Sequence, residues 1–177
     1  MRPIFLIGYR CTGKTSTGRY LAEFLNKTFL DTDLVLESTL GTSIAQMVAR
    51  YGWPYFRTKE TETLTNLDLE SAPVIATGGG IILAEENRAF LKKNGVVVYL
   101  YAPASVLTDR IRKDENNTGR RPDLTRDSLA LETKKMLEIR TPLYQALAAI
   151  SINTEEYAPK AAARRIMALL TCSETKF

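Results

Sequence analysis

The chain contains no histidine, and that absence excludes more chemistry than any other feature of its 177 residues. A Ser-His-Asp triad, a Cys-His nucleophile, a phosphohistidine and any His-ligated zinc site are ruled out, so proton transfer falls to carboxylates, lysines or tyrosines. The two cysteines, Cys11 and Cys172, cannot build a disulfide framework, which points to a reducing cytosol. No apolar run approaches the roughly 18 residues of a membrane span, and the one near the start is too short for a signal peptide. Dense Lys/Arg runs with interleaved aromatics are also missing, so nothing favours a nucleic-acid partner. What remains is ordinary for a globular protein: 45% hydrophobic and 25% charged residues in one domain's length. A net charge of +4 suits an anionic partner.

Short β-rich runs alternate with longer amphipathic stretches, without internal repeats. Residues 3–7 predict a buried strand ending at Gly8, and residues 16–26 a helix with Tyr20, Leu21, Phe24 and Leu25 on one face. Further strands are expected at 28–33, 73–77, 96–101 and 149–152. Helices are expected at 43–50 and 54–70, and again at 85–94, where acids lead, lysines trail and Gly95 caps. Another helix starts with Pro103 at its first position, two more meet near Arg140-Thr141-Pro142, and the last covers 160–170. Residues 113–122 are polar and aperiodic. The run 96–101 is apolar on both faces, as in a central parallel strand. This order predicts a three-layer α/β/α fold on a parallel sheet, with ligands bound beyond the carboxyl ends of its strands.

The sharpest motif is Gly8-Tyr9-Arg10-Cys11-Thr12-Gly13-Lys14-Thr15, which fits G-x-x-x-x-G-K-[ST] between a strand and a helix. Its glycines let the backbone turn around an anion, loop N–H groups point inward, and the helix presents its positive end. Lys14 reaches the β- and γ-phosphates and Thr15 offers a hydroxyl to Mg²⁺. Cys11, Thr12, Gly13 and Ser16 complete the nucleotide contact set, with Cys11 a small loop residue rather than a nucleophile. A GTPase would need an Asn-Lys-x-Asp reader, whereas the Asn-Lys pair here runs on to Thr28-Phe29.

Asp31 and Asp33 stand two apart at the end of the second strand, so an extended backbone would point both the same way. One could then serve the Mg²⁺ water shell and the other an acceptor hydroxyl, with a plain helix N-cap as the alternative reading. Gly78-Gly79-Gly80 after the third strand offers backbone N–H groups to a ligand, or simply turns the chain. Arg57 precedes Glu60 by one helical turn, so Glu60 can hold it. Taken with Arg121 and Arg140 it would supply a carboxylate clamp and a phosphate clamp.

These motifs in this order resemble the shikimate kinases, P-loop enzymes of the nucleoside-monophosphate-kinase-like fold. The resemblance rests on Gly13-Lys14-Thr15 with Gly18-Arg19-x-Leu21-Ala22, Phe29-x-Asp31-x-Asp33, Phe56-Arg57-x-x-Glu60, Thr77-Gly78-Gly79-Gly80, Arg121-Pro122 and Arg140-x-Pro142-Leu143-Tyr144. It implies a five-stranded parallel sheet and transfer of the ATP γ-phosphoryl to the 3-hydroxyl of shikimate. By position, Asp33 would hold that hydroxyl and act as base, while Arg57 and Arg140 would take the carboxylate. Gly79 and Gly80 would line the ring, Lys14 and Arg121 would stabilise the transferring group, and Thr15 and Asp31 would serve Mg²⁺. An acid-binding segment is expected over about 33–61 and a lid over about 113–124, with Arg121 rather than Arg120 closing on ATP. The stretch Trp53-Pro54-Tyr55 departs from the family's usual Gly-Glu before Phe-Arg and changes the outer wall of the acid site. The adenine loop, 153–159, matches poorly; Tyr157 is either its stacking residue or a surface tyrosine. A monomer is expected, with ATP and shikimate as partners and neither nucleic acid nor membrane. A gluconate-type kinase, or a nucleotide-binding module without catalysis, would share the phosphate loop.

Overall fold

The first strand, β1 (Ile4–Ile7), divides its side chains between two apolar layers, Ile4 and Leu6 into one and Phe5 and Ile7 into the other. A computed structural model describes residues 2–71, 73–114 and 126–174. β4 (Val96–Tyr101) alternates as β1 does, Val98 and Leu100 on one face, Val97 and Tyr99 on the other. With β2 (Phe29–Asp31), β3 (Val74–Ala76) and β5 (Ile150–Asn153) these strands form one parallel sheet in the order β2-β3-β1-β4-β5. Ile4 lies opposite Val74 on one side and Val96 on the other.

On one face pack α1 (Lys14–Leu25) and α7 (Pro159–Glu174), through Leu21, Ala22, Ala162, Ala163 and Ile166. The opposite face carries α3 (Ile44–Thr65), α4 (Glu85–Asn94) and α6 (Arg126–Leu147), with Leu64, Leu91, Tyr144 and Leu147 buried. Burying each such side chain contributes about 1.5–3 kcal/mol. Two satellite clusters lie outside these layers. α5 (Ala104–Lys113) sets Leu107 and Ile111 against Tyr9. α2 (Thr32–Leu40) packs Leu36 against Met47 and Phe56 of α3.

Several elements differ from the sequence reading. The second strand stops at Asp31, whose side chain accepts from the Asp33 N–H and caps α2. Asp31 and Asp33 are therefore not alternate residues of a strand: one is the cap and the other lies in the first helical turn. The helices expected at 43–50 and 54–70 are two segments, as read, parted within α3 by a kink at Gly52 (φ 81°, ψ 170°) just before Trp53-Pro54, and the second stops at Thr65 instead of reaching residue 70. After it, Leu67 and Leu69 drop onto the core instead of continuing the helix. Pro103 is the N-cap of α5, one position before the expected first turn. Pro142 does not separate two helices, because α6 runs through it. Leu143, Tyr144 and Leu147 pack on the sheet face and hold the chain helical across the proline. The residues after β1, β2 and β3 lie side by side at the carboxyl edge, where a doubly wound sheet opens its crevice.

Candidate active site

The phosphate loop follows β1 and ends at Gly13, the N-cap of α1 in the left-handed region (φ 83°). No side chain caps α1 and no acid stands in its first turn, so its leading amides are available to an anion. The Lys14 ammonium donates to the carbonyls of Gly8 at 2.9 Å and Tyr9 at 2.7 Å. Burial lowers it to about 8, with Asp33 and Asp31 pulling the other way. Thr15 Oγ1 donates to Asp31 Oδ2 at 2.8 Å, and Asp31 Oδ1 accepts from the Asp33 N–H at 3.1 Å. The Asp31 cap and its place beside Thr15 are thus one arrangement. Cys11 sits in the loop at φ 59°. Burial and Asp114 push its thiol up, so it is a packed loop residue and not an activated nucleophile.

Asp33 faces this loop from α2. Burial raises its carboxyl to about 6, Asp31 and Glu60 add to the rise, and Lys14 opposes it. Glu60 is buried; one of its oxygens grips Arg57, as the one-turn spacing predicts. The other, Oε1, has no hydrogen-bond partner. Burial pushes Glu60 up as well, against Arg57 and Arg140.

The glycine run explains how these groups fit. A Cβ on Gly78 would stand 2.6 Å from Glu60 Oε1 and 2.8 Å from Asp33 Oδ1, so the two carboxyls meet over a residue without a side chain. A Cβ on Gly80 would collide with the Arg57 guanidinium. The Gly78 N–H donates to Thr32 Oγ1, while the Gly79 carbonyl accepts from Tyr144 Oη at 2.5 Å and Arg140 Nη1 at 3.3 Å. The loop's primary contribution is therefore space for its neighbours, and the Gly78 N–H is already engaged.

A cavity of about 670 Å³ opens here, lined by Asp33, Arg57, Glu60, Arg140 and all three glycines, with Trp53 and Phe56 as an aromatic wall. The Arg57 guanidinium lies 4.8 Å from the Phe56 ring centre and 5.6 Å from that of Trp53. Trp53, at the departure over 53–55, thus lines this cavity. The pattern is chemically polarised: a cationic loop for phosphates, a carboxylate at its edge, and arginines beyond it.

The shikimate kinase family model matches residues 10–171. A shikimate kinase 2 from Escherichia fergusonii is 43% identical over 170 residues, covering 96% of this chain and 92% of its own. A shikimate kinase from Acinetobacter baumannii, solved in complex with shikimate, superimposes with a TM-score of 0.91 at 38% identity, covering 99% of this chain and 96% of that one. The enzyme from Aquifex aeolicus gives 0.81 at 31% identity, with 99% of each chain covered.

The chain belongs to the shikimate kinase family. Its five-stranded parallel sheet is that of the family's solved structures, and the family is one of ATP-dependent kinases. Of the residues that the resemblance singles out, Lys14, Thr15, Asp31, Asp33, Arg57, Gly79, Gly80 and Arg140 stand around this one crevice. Arg120 and Arg121 lie outside the described residues, as does most of the expected lid. Tyr157 is half-buried against the α1 and α7 layer.

Three contributors were not assigned a role by sequence reasoning. Tyr144 holds the Gly79 carbonyl although it is quoted above only as part of a motif. Arg110 donates to the Thr154 carbonyl at 2.6 Å and to Cys11 O at 3.4 Å, tying the loop after β5 to the phosphate loop. Its partners are 44 and 99 residues away, so no local pattern reveals it. Arg10 lines the cavity from a variable position inside the phosphate motif, where the spacing rule asks for nothing.

Proposed function

We propose that the protein transfers the γ-phosphoryl group of ATP to the 3-hydroxyl of shikimate, giving shikimate 3-phosphate and ADP on the route to aromatic amino acids. One observation carries this reading: Asp33 borders the arginine-lined cavity and is coupled by charge to Lys14 of the phosphate loop. A hydroxy acid in that cavity can turn its alcohol to Asp33 and its carboxylate to Arg57 and Arg140, with Gly79 and Gly80 beneath the ring.

Asp33 accepts the hydroxyl proton as the new O–P bond forms, and the bond from the γ-phosphorus to the bridging oxygen breaks with ADP as leaving group. The transition state is loose, so positioning and charge stabilisation carry most of the acceleration. Lys14 and the loop amides of residues 11–16 hold the phosphates, and Arg121 is assigned to the charge of the transferring group. Thr15 and Asp31 suit Mg²⁺, since a hydroxyl and a carboxylate stand together as hard oxygen donors. Bound Mg²⁺ neutralises charge on the phosphate oxygens. ATP and shikimate are cytosolic metabolites in this reading, and the enzyme works as a monomer.

The test is ADP release from ATP with a panel of hydroxy acids. Release with shikimate that needs Mg²⁺, and only background release with gluconate, is expected. Equal turnover of gluconate would replace the assignment with a broader sugar-acid kinase, and no release with any acid would leave a nucleotide-binding module.

A further inference from the structure

Among the described residues, Arg10 is the one arginine of the cavity wall whose guanidinium has buried donors with no hydrogen-bond partner. Its Nε and Nη2 are both sealed from solvent and unpaired, and the guanidinium lies over the Tyr9 ring, 5.7 Å from its centre. A guanidinium cannot shed its charge to escape this, and buried polar groups are nearly always satisfied. Nε–H and Nη2–H form one edge of the guanidinium, two parallel donors spaced for the two oxygens of one planar anion. Arg140 reaches the same Tyr9 ring, also 5.7 Å from its centre. Its hydrogen bonds go to the Gly79 carbonyl and the Met136 sulfur. Arg57, by contrast, already shares its charge with Glu60.

We propose that Arg10 is a substrate-binding residue that turns its Nε/Nη2 edge into the cavity to receive the carboxylate of the acid substrate, acting with Arg140 across Tyr9. This rests on the function proposed above, because the anion is shikimate's carboxylate. A phosphate could also fill a two-donor edge, but Lys14 and the α1 amides form the phosphate side, and Arg10 lines the cavity with Arg57 and Arg140.

The experiment compares wild type, Arg10→Gln and Arg10→Lys with shikimate and with its carboxamide, in which a neutral group replaces the carboxylate. Trp53 is the only tryptophan and lines the cavity, so its fluorescence also reads shikimate binding without ATP. Arg10→Gln should raise the shikimate KM and Kd about ten- to a hundred-fold, the value of a charged hydrogen bond. The kcat and ATP KM should stay within about threefold, Arg10→Lys should recover part of the loss, and the carboxamide should bind both forms alike. A shikimate KM and Kd equal to wild type overturns the proposal. The same loss with the carboxamide, or a fall confined to kcat or to ATP affinity, also overturns it and moves Arg10 to another group. A wild type that releases no ADP with shikimate sinks the parent reading and this one together, whereas an active wild type with an indifferent Arg10→Gln sinks this one alone.

Discussion

Asp33 is held ionised against its surroundings. Its folded-state pKa of about 6 lies above the ordinary 3.8 because burial, Asp31 and Glu60 all favour the proton. The folded protein therefore binds that proton more tightly than the unfolded chain. Its ionised form costs stability at neutral pH, a cost that disappears as pH falls from 6 toward 4; two pK units correspond to about 3 kcal/mol at most. Asp33→Asn is expected to raise the melting temperature of the ligand-free enzyme by several degrees at pH 7.5, with the gap closing below about pH 5. Its turnover of shikimate should fall at least about a hundredfold through loss of the base. A variant that melts lower at every pH would mean that Lys14 more than offsets the burial. The same groups are expected to set the rate profile. For the free enzyme, kcat/KM should decline below about pH 6 as Asp33 takes up its proton and above about pH 8 as Lys14 loses one. In the kcat profile the upper limb should move to higher pH, because bound triphosphate favours the ammonium. Arg57 divides differently between binding and stability, since it also pairs the buried Glu60. Arg57→Ala should raise the shikimate KM about ten- to a hundred-fold and lower stability by roughly 1–3 kcal/mol. Adding Glu60→Gln should restore much of the melting temperature and none of the affinity. A double variant that recovers both would show that Arg57 acts only by neutralising Glu60.

At the scale of elements, the turn after β3 sets the geometry of everything above it. Gly78→Ala places a methyl group where Glu60 Oε1 and Asp33 Oδ1 now stand. Both are ends of side chains and can move, so the fold should survive with a small loss in melting temperature. A displacement near 1 Å at the reacting hydroxyl costs about a hundredfold, and kcat/KM should fall by that order. Gly79→Ala meets only backbone atoms of the phosphate loop at 3.4 Å or more and should be milder. Equal losses in the two variants would remove the special role of position 78. The phosphate loop, the two aspartates, the glycine run and the Arg57–Glu60 pair could all be read along the chain because each chemistry is confined to one turn. The start of α2 could not, because Asp31 reads equally as a strand end and as a cap until its neighbours are known. Nor could the continuity of α6 through Pro142, since tertiary packing of Tyr144 and Leu147 overrides the local preference. The bonds from Tyr144 to Gly79 and from Arg110 to Thr154 span 65 and 44 residues, a separation that leaves no local trace.

Across the whole molecule the apolar layers are unequal. The two faces of the sheet hold large buried clusters, whereas α2 and the first half of α3 share only Leu36, Met47 and Phe56 with Ile44 and Val48 beside them. That unit is joined through glycines with positive φ, Gly41 and Gly52, and it exposes Leu34 at 52% and Tyr51 at 50%. With so little buried surface it should open locally at a lower free energy than the sheet. It also carries Asp33, while Arg57 lies beyond Gly52 in the second part of α3, and Gly79 and Arg140 belong to elements packed on the sheet. A shikimate molecule in the cavity would therefore bridge the weakly held unit and the rigid one, and its binding energy would add to the opening cost of the former. Hydrogen exchange should show amides of residues 34–50 opening faster than those of β1 and β4 in the free protein. At a shikimate concentration one hundred times Kd, those amides should slow by up to about a hundredfold, the full linkage of about 2.7 kcal/mol. Exchange in that segment that is unchanged by shikimate, while Trp53 fluorescence reports full binding, would mean that the acid is held by the sheet-side residues alone and that α2 and α3 form a preset wall.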